Sequence, residues 1–136
     1  MRISTKGRYA LTIMLNLALN YETGRYVPLK EISNNENISF KYLEKIMLDL
    51  NKKDYFDISR GINGGYKLKK DPKEYIIGDI LRASKEEIEP VTCISNVCDM
   101  KNNCKTFPIW KDLNNVVNNF LDNKTLADYI ERSNIC

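Results

Sequence analysis

Apolar side chains recur at helical spacing in two segments of the first half of the chain. In residues 6–20 the apolar positions are Leu11, Met14, Leu15 and Ala18. In residues 40–52 they are Leu43, Ile46, Met47 and Leu50. Residues three, four and seven apart share one face of a helix, so both segments predict amphipathic helices. A short helix opening at Pro28 and ending near Asn34 is predicted between them.

Two short runs, 56–59 and 66–68, alternate apolar and polar residues and flank a Gly-rich segment, 60–65. Glycine adopts positive φ readily, so this arrangement predicts a β-hairpin. A short helix near 77–85 follows. Two helices, a turn, a third helix and a hairpin form the order of a winged helix-turn-helix. In that fold the third helix fits the DNA major groove, and its first residues reach base edges.

The last third of the chain predicts a long helix over 109–123. Its apolar positions are Trp110, Leu113, Val117 and Phe120. This stripe is wider than a lone surface helix would leave exposed, so we expect the helix to pack against its twin in a homodimer. The alternative is burial against the chain's own N-terminal helix. Thr125 is predicted to cap a final helix.

The predicted fold is mainly α with a small β-hairpin wing. The winged helix-turn-helix DNA-binding domain covers residues 1–85, and a cysteine-containing sensor loop covers 86–108. The dimerisation helix and a C-terminal helix cover 109–136. A two-fold dimer presents its two recognition helices about one DNA turn apart, so the expected partner is double-stranded DNA with a near-palindromic operator.

The charge distribution supports a nucleic-acid partner. The chain has 136 residues and a net charge of +3. Residues 1–82 hold 15 Lys and Arg against 10 Asp and Glu, whereas residues 83–136 hold 6 against 8. A basic first half suits a polyanion. No stretch approaches the ~20 apolar residues of a membrane span, and the first residues lack an apolar signal core, so we expect a cytoplasmic protein with no membrane partner.

Catalytic chemistry has few candidates in this sequence. Histidine is absent, which removes it as a general base and as a metal ligand. The sequence also offers no nucleophile–base pair and no phosphate-binding loop. We therefore do not expect an enzyme. The alternative to a DNA-binding regulator is an interaction adaptor that keeps the winged fold without binding DNA.

The residues expected to contact DNA lie at the start of the predicted helix 40–52, at the tip of the hairpin and near the N-terminus. Lysines there can meet phosphates or guanine, and an arginine in the wing can enter the minor groove. Glu44 can accept a hydrogen bond from cytosine or repel wrong sites, unless it only pairs with Lys41 or Lys45 on the surface. The predicted set is Arg2, Lys6, Ser39, Lys41, Tyr42, Glu44, Lys45, Arg60 and Gly61.

Three of the four cysteines, Cys93, Cys98 and Cys104, lie close together in the predicted loop. In a reducing cytosol such a cluster indicates metal or redox chemistry rather than disulfides. Three thiolates suit an iron–sulfur cluster, which normally needs a fourth ligand. Asp99, Cys136, a partner-subunit residue or a small thiol could supply it. For Cys136, the last residue, the alternative of a bystander thiol is favoured. Metal-free thiol sensing is the alternative.

Three segments and the cysteine loop resemble the Rrf2 family of bacterial winged-helix regulators. The segments are 1–10, 39–44 and 60–66, and the similarity covers nearly the whole chain. Within the family the chain is most similar to the branch that regulates iron–sulfur cluster assembly. That resemblance implies a homodimer, mainly a repressor, with a two-iron two-sulfur cluster and DNA contacts at Ser39, Lys41, Tyr42, Glu44, Lys45 and Arg60. In that branch the glutamate matching Glu44 separates two classes of site.

One departure leaves the cluster type open. The branch has a histidine ligand where this chain has Phe107, and the first gap between cysteines is one residue shorter. A nitric-oxide-sensing branch binds a four-iron four-sulfur cluster with an acidic residue from the partner's first helix, but residues 6–8 contain no acid here. A cysteine-metabolism branch binds no cluster. We therefore expect a two-iron cluster ahead of a four-iron one, with a cluster-free thiol- or nitric-oxide-responsive regulator as the alternative.

Overall fold

The computed structural model describes residues 1–133 of the chain, and it confirms the predicted element order. The first half contains α1 (Thr5–Leu19), α2 (Leu29–Glu36) and α3 (Phe40–Leu50). Ser4 caps α1 by accepting from the backbone N–H of Gly7. Pro28 precedes α2, where the missing N–H costs nothing. The predicted ends of these three helices lie within two residues of the observed ones, a usual error at helix termini.

The hairpin forms the predicted wing. Strands β1 (Phe56–Ser59) and β2 (Gly65–Leu68) are antiparallel, with Ile58 opposite Tyr66. Val27 forms an antiparallel β-bridge with Tyr66 that the sequence did not reveal. The N–H of Val27 donates to the carbonyl of Tyr66 at 2.8 Å, and its carbonyl accepts from the Tyr66 N–H at 2.9 Å. The wing is therefore tied to the segment that precedes α2.

The core lies where α1 crosses the other helices and the wing. Its largest fully buried side chains come from α1, α2, α3, α4 (Ile77–Ala83) and the C-terminal segment. They are Ile13, Met14, Leu17, Ile32, Leu43, Ile46, Met47, Leu50, Ile80, Leu81 and Leu126. The predicted inner face of α3 is buried in full. On α1 only Met14 and Ala18 of the predicted face are buried, whereas Leu11 and Leu15 are half-buried.

After α4 the chain runs through the cysteine loop into the long helix α5 (Phe107–Asp122). The helix begins at Phe107 rather than at 109, because Pro108 suits the first turn of a helix. Between α4 and α5, residues 86–106 carry two short 3₁₀ turns, Thr92–Ile94 and Lys101–Asn103. Within residues 1–133 no helix combines the length and the apolar composition that a bilayer span needs.

The segment after α5 returns to the core. Thr125 forms a capping box with Asp128, as expected for a cap, but it starts a 3₁₀ turn, Leu126–Tyr129, before the short α6 (Ile130–Ser133). The N–H of Leu126 donates to the carbonyl of Tyr75 at 3.0 Å, and the Leu126 side chain is fully buried. This segment therefore shares the hydrophobic core of residues 1–85.

Candidate nucleic-acid interface and cysteine loop

The turn before α3 fixes the direction in which that helix leaves the domain. Asn37 ends α2 in a left-handed conformation with φ of 54°, and Ile38 then buries its side chain in the core. Ser39 caps α3, its hydroxyl accepting from the Tyr42 N–H at 3.4 Å. Capping uses the acceptor side of the Ser39 oxygen and leaves its proton available to a phosphate oxygen.

The outer face of α3 carries the charged residues that the sequence singled out. Lys41, Glu44 and Lys45 are exposed and line an open groove that Tyr66 of the wing closes on one side. Within residues 1–133, Glu44 forms no ion pair with Lys41 or Lys45. Surface pairing therefore does not explain Glu44, and both lysines keep their charge free for a partner.

Tyr42 and Phe40 differ in how much of each side chain can reach a partner. Tyr42 is half-buried, and its ring meets that of Tyr9 edge-on with centroids 5.7 Å apart. This contact fixes α3 against α1 and leaves only part of Tyr42 accessible. Phe40 is 42% exposed and lines a second groove, between the wing and the start of α2, together with Lys30 and Arg60.

The wing tip presents Arg60 on a turn that needs glycine. Arg60 and Gly61 are both exposed, and Gly61 has φ of 101°, which is unfavourable for residues with a side chain. The N–H of Gly64 donates to the Gly61 carbonyl at 3.0 Å and closes the turn. Of the remaining predicted DNA contacts, Arg2 is exposed in the segment before α1.

Lys6 and Asp49 have surroundings that the sequence did not indicate. The ammonium of Lys6 lies 2.6 Å from the carboxylate of Asp49, a charged residue outside the apolar face predicted for 40–52. Asp49 is nevertheless only 8% exposed. The hydrogen bond from Lys6, with the charge of Lys85, holds the pKa of Asp49 below its usual range. The carboxylate of Asp49 can be buried because Lys6 and Lys85 neutralise its charge, which the apolar spacing of α3 does not reveal. The ion pair also gives Lys6 a structural contact inside the domain.

The start of the cysteine loop is attached to both α1 and α3. Lys85 has a left-handed φ of 64°, and its ammonium lies 3.4 Å from Asp49 on α3. Glu86 accepts from the backbone N–H of Ser4 at 2.7 Å. The absence of a side chain at Gly7 makes this approach possible, because a Cβ there would lie 2.5 Å from a carboxylate oxygen of Glu86.

The three predicted metal ligands lie on the loop as free, half-buried thiols. Cys104 comes just before α5, 3.4 Å from the Thr106 hydroxyl. That hydrogen bond, together with backbone N–H groups of Thr106 and Phe107, lowers the pKa of the Cys104 thiol. Phe107 is half-buried at the start of α5, where the ammonium of Lys101 lies 4.8 Å from the centre of its ring.

The donor chemistry of the loop fits an iron–sulfur cluster, but the ligands are not gathered. Thiolates are the ligands these clusters prefer. Among residues 1–133, however, no three Cys, Asp or Glu side chains come close enough together to hold a metal ion. Asp99 is exposed on the loop. Cys136, the other candidate for the fourth ligand, lies outside the described residues.

The residues predicted for dimerisation divide between two environments on α5. Trp110 and Val117 are half-buried, and Val117 packs against the core of the chain. Leu113 and Phe120 are 37% and 55% exposed, and they form an apolar stripe with Ile109 and Val116. The helix α5 thus rests on the domain with part of its apolar surface and exposes the rest, and the dimer contact of all four residues stays a prediction.

Sequence comparison places the chain among transcription regulators. The family profile described as Rrf2, an iron-dependent transcriptional regulator, matches residues 3–132. The HTH-type transcriptional regulator IscR of Klebsiella pneumoniae (strain 342) is 38% identical over 99% of this chain and 83% of its own length. The corresponding regulator of Escherichia coli O1:K1 / APEC is 37% identical over the same shares.

Solved structures agree with this assignment. CymR (YrzC), described as the global cysteine regulator of B. subtilis, superposes with a TM-score of 0.84 at 34% identity, over 97% of this chain and 98% of that one. IscR of T. potens superposes with a TM-score of 0.74 at 27% identity, over 98% of this chain and 88% of that one. The chain thus resembles both the transcriptional regulator IscR and the cysteine regulator CymR.

Proposed function

This chain belongs to the Rrf2 family of transcription regulators, and we propose that it acts as a homodimeric repressor that binds a near-palindromic operator in the cytoplasm. The observation that carries this proposal is the outer face of α3 beside the wing, where Lys41, Glu44 and Lys45 are exposed and form no ion pair with any of residues 1–133. Lysines there can neutralise phosphates, and Glu44 can accept from a cytosine amino group in the major groove.

Arg60 extends the contact surface from α3 to the wing. Its position next to Gly61 puts a guanidinium on an exposed turn across the groove from Phe40. A guanidinium is attracted to a narrowed minor groove, where the negative potential is strongest. A helix in the major groove and an arginine in the adjacent minor groove would together fix the register of the protein on DNA.

The exposed stripe of α5 is the proposed dimer contact. Ile109, Leu113, Val116 and Phe120 present apolar surface along about three turns of helix. Beside them, Ile3, Leu11 and Leu81 help to line a largely apolar hollow between α1, α4 and α5, which Arg8 also lines. A second copy related by a two-fold axis would cover the stripe and the hollow at once, since isologous contacts pair the same surface on both subunits.

For the sensor we propose that Cys93, Cys98 and Cys104 hold an iron–sulfur cluster. When bound, the cluster would supply a cross-link of the loop that depends on iron supply and oxidation state. Because the thiols are separate in the described chain, binding would have to draw the loop together, as metal binding commonly contributes to local folding. A two-iron cluster is the first expectation, and Phe107 leaves its fourth ligand to another residue.

Both ends of the cysteine loop are attached to elements that a regulator would use. At one end, Lys85 and Glu86 contact Asp49 of α3 and Ser4 before α1. At the other end, Cys104 comes directly before the N-terminus of α5. A change of loop conformation would therefore act on α3 through Lys85 and on the proposed dimer helix through Cys104.

A DNA-binding assay separates the regulator from an adaptor that kept only the fold. Purified protein is tested by mobility shift against the region upstream of its own gene, with coding DNA of equal length as the control. A specific shift that is lost in the double variant Lys41→Ala, Lys45→Ala supports the proposal. Equal binding to both fragments, or to neither, would contradict it.

Anaerobic reconstitution with iron and sulfide tests the cluster. The protein should turn brown, Mössbauer spectra should report the number of irons, and Cys98→Ala should lose the colour. Phe107→His should change the spectrum if residue 107 faces the cluster. A colourless product would instead favour the second candidate, a cluster-free thiol regulator, to which the similarity with CymR and the separate, half-buried thiols already point.

A further inference from the structure

Leu48 is an exposed apolar residue on a helix whose other leucines are buried. It is 68% exposed, whereas Leu43 and Leu50 on the same helix are fully buried. A single exposed leucine is common on protein surfaces and needs no explanation by itself. Its position is what distinguishes it, since residues 41, 44, 45 and 48 follow the helical repeat and Leu48 continues the charged face by one turn.

The groove along this face combines apolar and cationic surface. Lys41 and Lys45 line it together with Leu48, and Tyr66 of the wing closes it. An apolar peptide could cover Leu48, but it would leave two unpaired ammonium groups at its edge. A duplex satisfies both features, because phosphates run along the edges of the major groove while its floor presents base edges and methyl groups.

We infer that Leu48 contacts the C5-methyl group of a thymine in the major groove and so determines the preferred base at one position of each half-site. Thymine is the base that presents an apolar group on this edge. Seven residues of α-helix separate Leu48 from Lys41, about 10 Å along the axis. At about 3.4 Å per base pair, the thymine lies roughly three base pairs from the contact of Lys41. This inference rests on the proposed DNA binding.

The test removes the methyl group from DNA and the side chain from protein. Duplexes are first selected from a random library by the wild-type protein. Each thymine of the selected half-site is then replaced by deoxyuridine, symmetrically in both half-sites, and affinities are measured by fluorescence anisotropy. At one position the loss of a buried methyl contact should weaken binding about fourfold per half-site, or about 15-fold for the symmetric pair.

The variants decide whether Leu48 is responsible. Leu48→Ala should bind thymine and deoxyuridine duplexes equally at that position, while keeping the wild-type deoxyuridine effects elsewhere. Leu48→Met preserves an apolar side chain and should keep most of the discrimination. Alanine is the best helix former, so an exposed Leu48→Ala leaves α3 intact.

Three results would overturn the inference. One is a deoxyuridine effect of the same size in wild type and Leu48→Ala at every position. A second is that the selected half-site contains no thymine at a distance of about three base pairs from the position where Lys41→Ala changes binding. If the library yields no enriched duplex at all, the proposed DNA binding itself fails, and the role of Leu48 fails with it.

Discussion

The ammonium of Lys85 lies 3.4 Å from the carboxylate of Asp49, which joins the second residue after α4 to the helix proposed to read DNA. Asp49 also accepts from Lys6 of α1 and lies 3.6 Å from Lys52. One nearly buried carboxylate thus holds together three cationic side chains from α1, from the end of α3 and from the start of the cysteine loop.

Replacing Asp49 should destabilise the fold in a pH-dependent manner. Asp49→Asn removes the charge that Lys6 and Lys85 neutralise and leaves three neighbouring ammonium groups without a counter-charge. We therefore expect the free energy of unfolding to fall by about 2 kcal/mol at pH 7. The native pKa of Asp49 is lowered, so its contribution is present above the unfolded value of about 3.9 and is lost as pH falls through the lower native pKa.

Urea unfolding between pH 7 and pH 3 measures this dependence. The stability difference between wild type and Asp49→Asn should shrink as the pH falls below about 4. Asp54→Asn is the matched control, since Asp54 also pairs with a lysine but its side chain is 82% exposed. It should change stability less. A difference for Asp49→Asn that stays constant down to pH 3 would argue against the ion-pair account.

The wing depends on a close approach that only glycine permits. A Cβ at residue 65 would lie 2.4 Å from the carbonyl carbon of Val27, so Gly65→Ala must push apart the paired backbones of Val27 and Tyr66. We expect a stability loss of about 2 kcal/mol, together with weaker DNA binding because the wing and Tyr66 move. Thermal unfolding and mobility shifts measure the two effects.

Gly24→Ala separates this clash from ordinary backbone strain. Gly24 has φ of 68°, but no atom lies within 4 Å of the position of its Cβ. That variant should lose only about 1 kcal/mol, from the left-handed conformation, and should bind DNA as well as wild type. Wild-type DNA affinity in Gly65→Ala would show that the wing does not take part in binding.

A charge on the exposed stripe of α5 should break the dimer. Phe120 is 55% exposed beside the apolar hollow, so Phe120→Asp would bury a carboxylate in the proposed contact. Sedimentation equilibrium should show a monomer, and affinity for a palindromic duplex should fall on the order of 100-fold because the two half-sites no longer bind together. Asn119→Asp adds the same charge on an exposed polar position and should remain dimeric. A dimeric Phe120→Asp would place the contact elsewhere.

Repeated apolar spacing was enough to predict α1, α3 and the hairpin, because in each case one face of the element is buried and the other is not. Asp49 could not be placed in this way. Its burial depends on Lys6 and Lys85, which are distant in sequence and come together only in the folded chain. The same limit applies to Val27, whose pairing with Tyr66 leaves no periodic trace.

The candidate site shows the same contrast between residues that periodicity reveals and residues that only the folded chain reveals. Lys41, Glu44 and Lys45 were identified because they follow a cap and alternate with buried positions. Leu48 is exposed beside them, but the sequence did not indicate it, because an apolar residue on a helix is ordinarily assigned to the core. On α5 the apolar repeat identifies a stripe, but it does not reveal that the chain itself partly covers Val117.

The proposed regulator requires the start of α3 to lie in a groove of DNA. The salt dependence of DNA binding tests this placement most directly. The affinity for the selected duplex is measured from low to high salt for wild type, Lys45→Ala and Lys73→Ala, an exposed lysine on another element as control. Each phosphate contact contributes about 0.9 to the slope of log affinity against log salt. We predict that the slope becomes shallower by about one unit in Lys45→Ala and stays unchanged in Lys73→Ala. An unchanged slope in Lys45→Ala would contradict the placement of α3 against DNA.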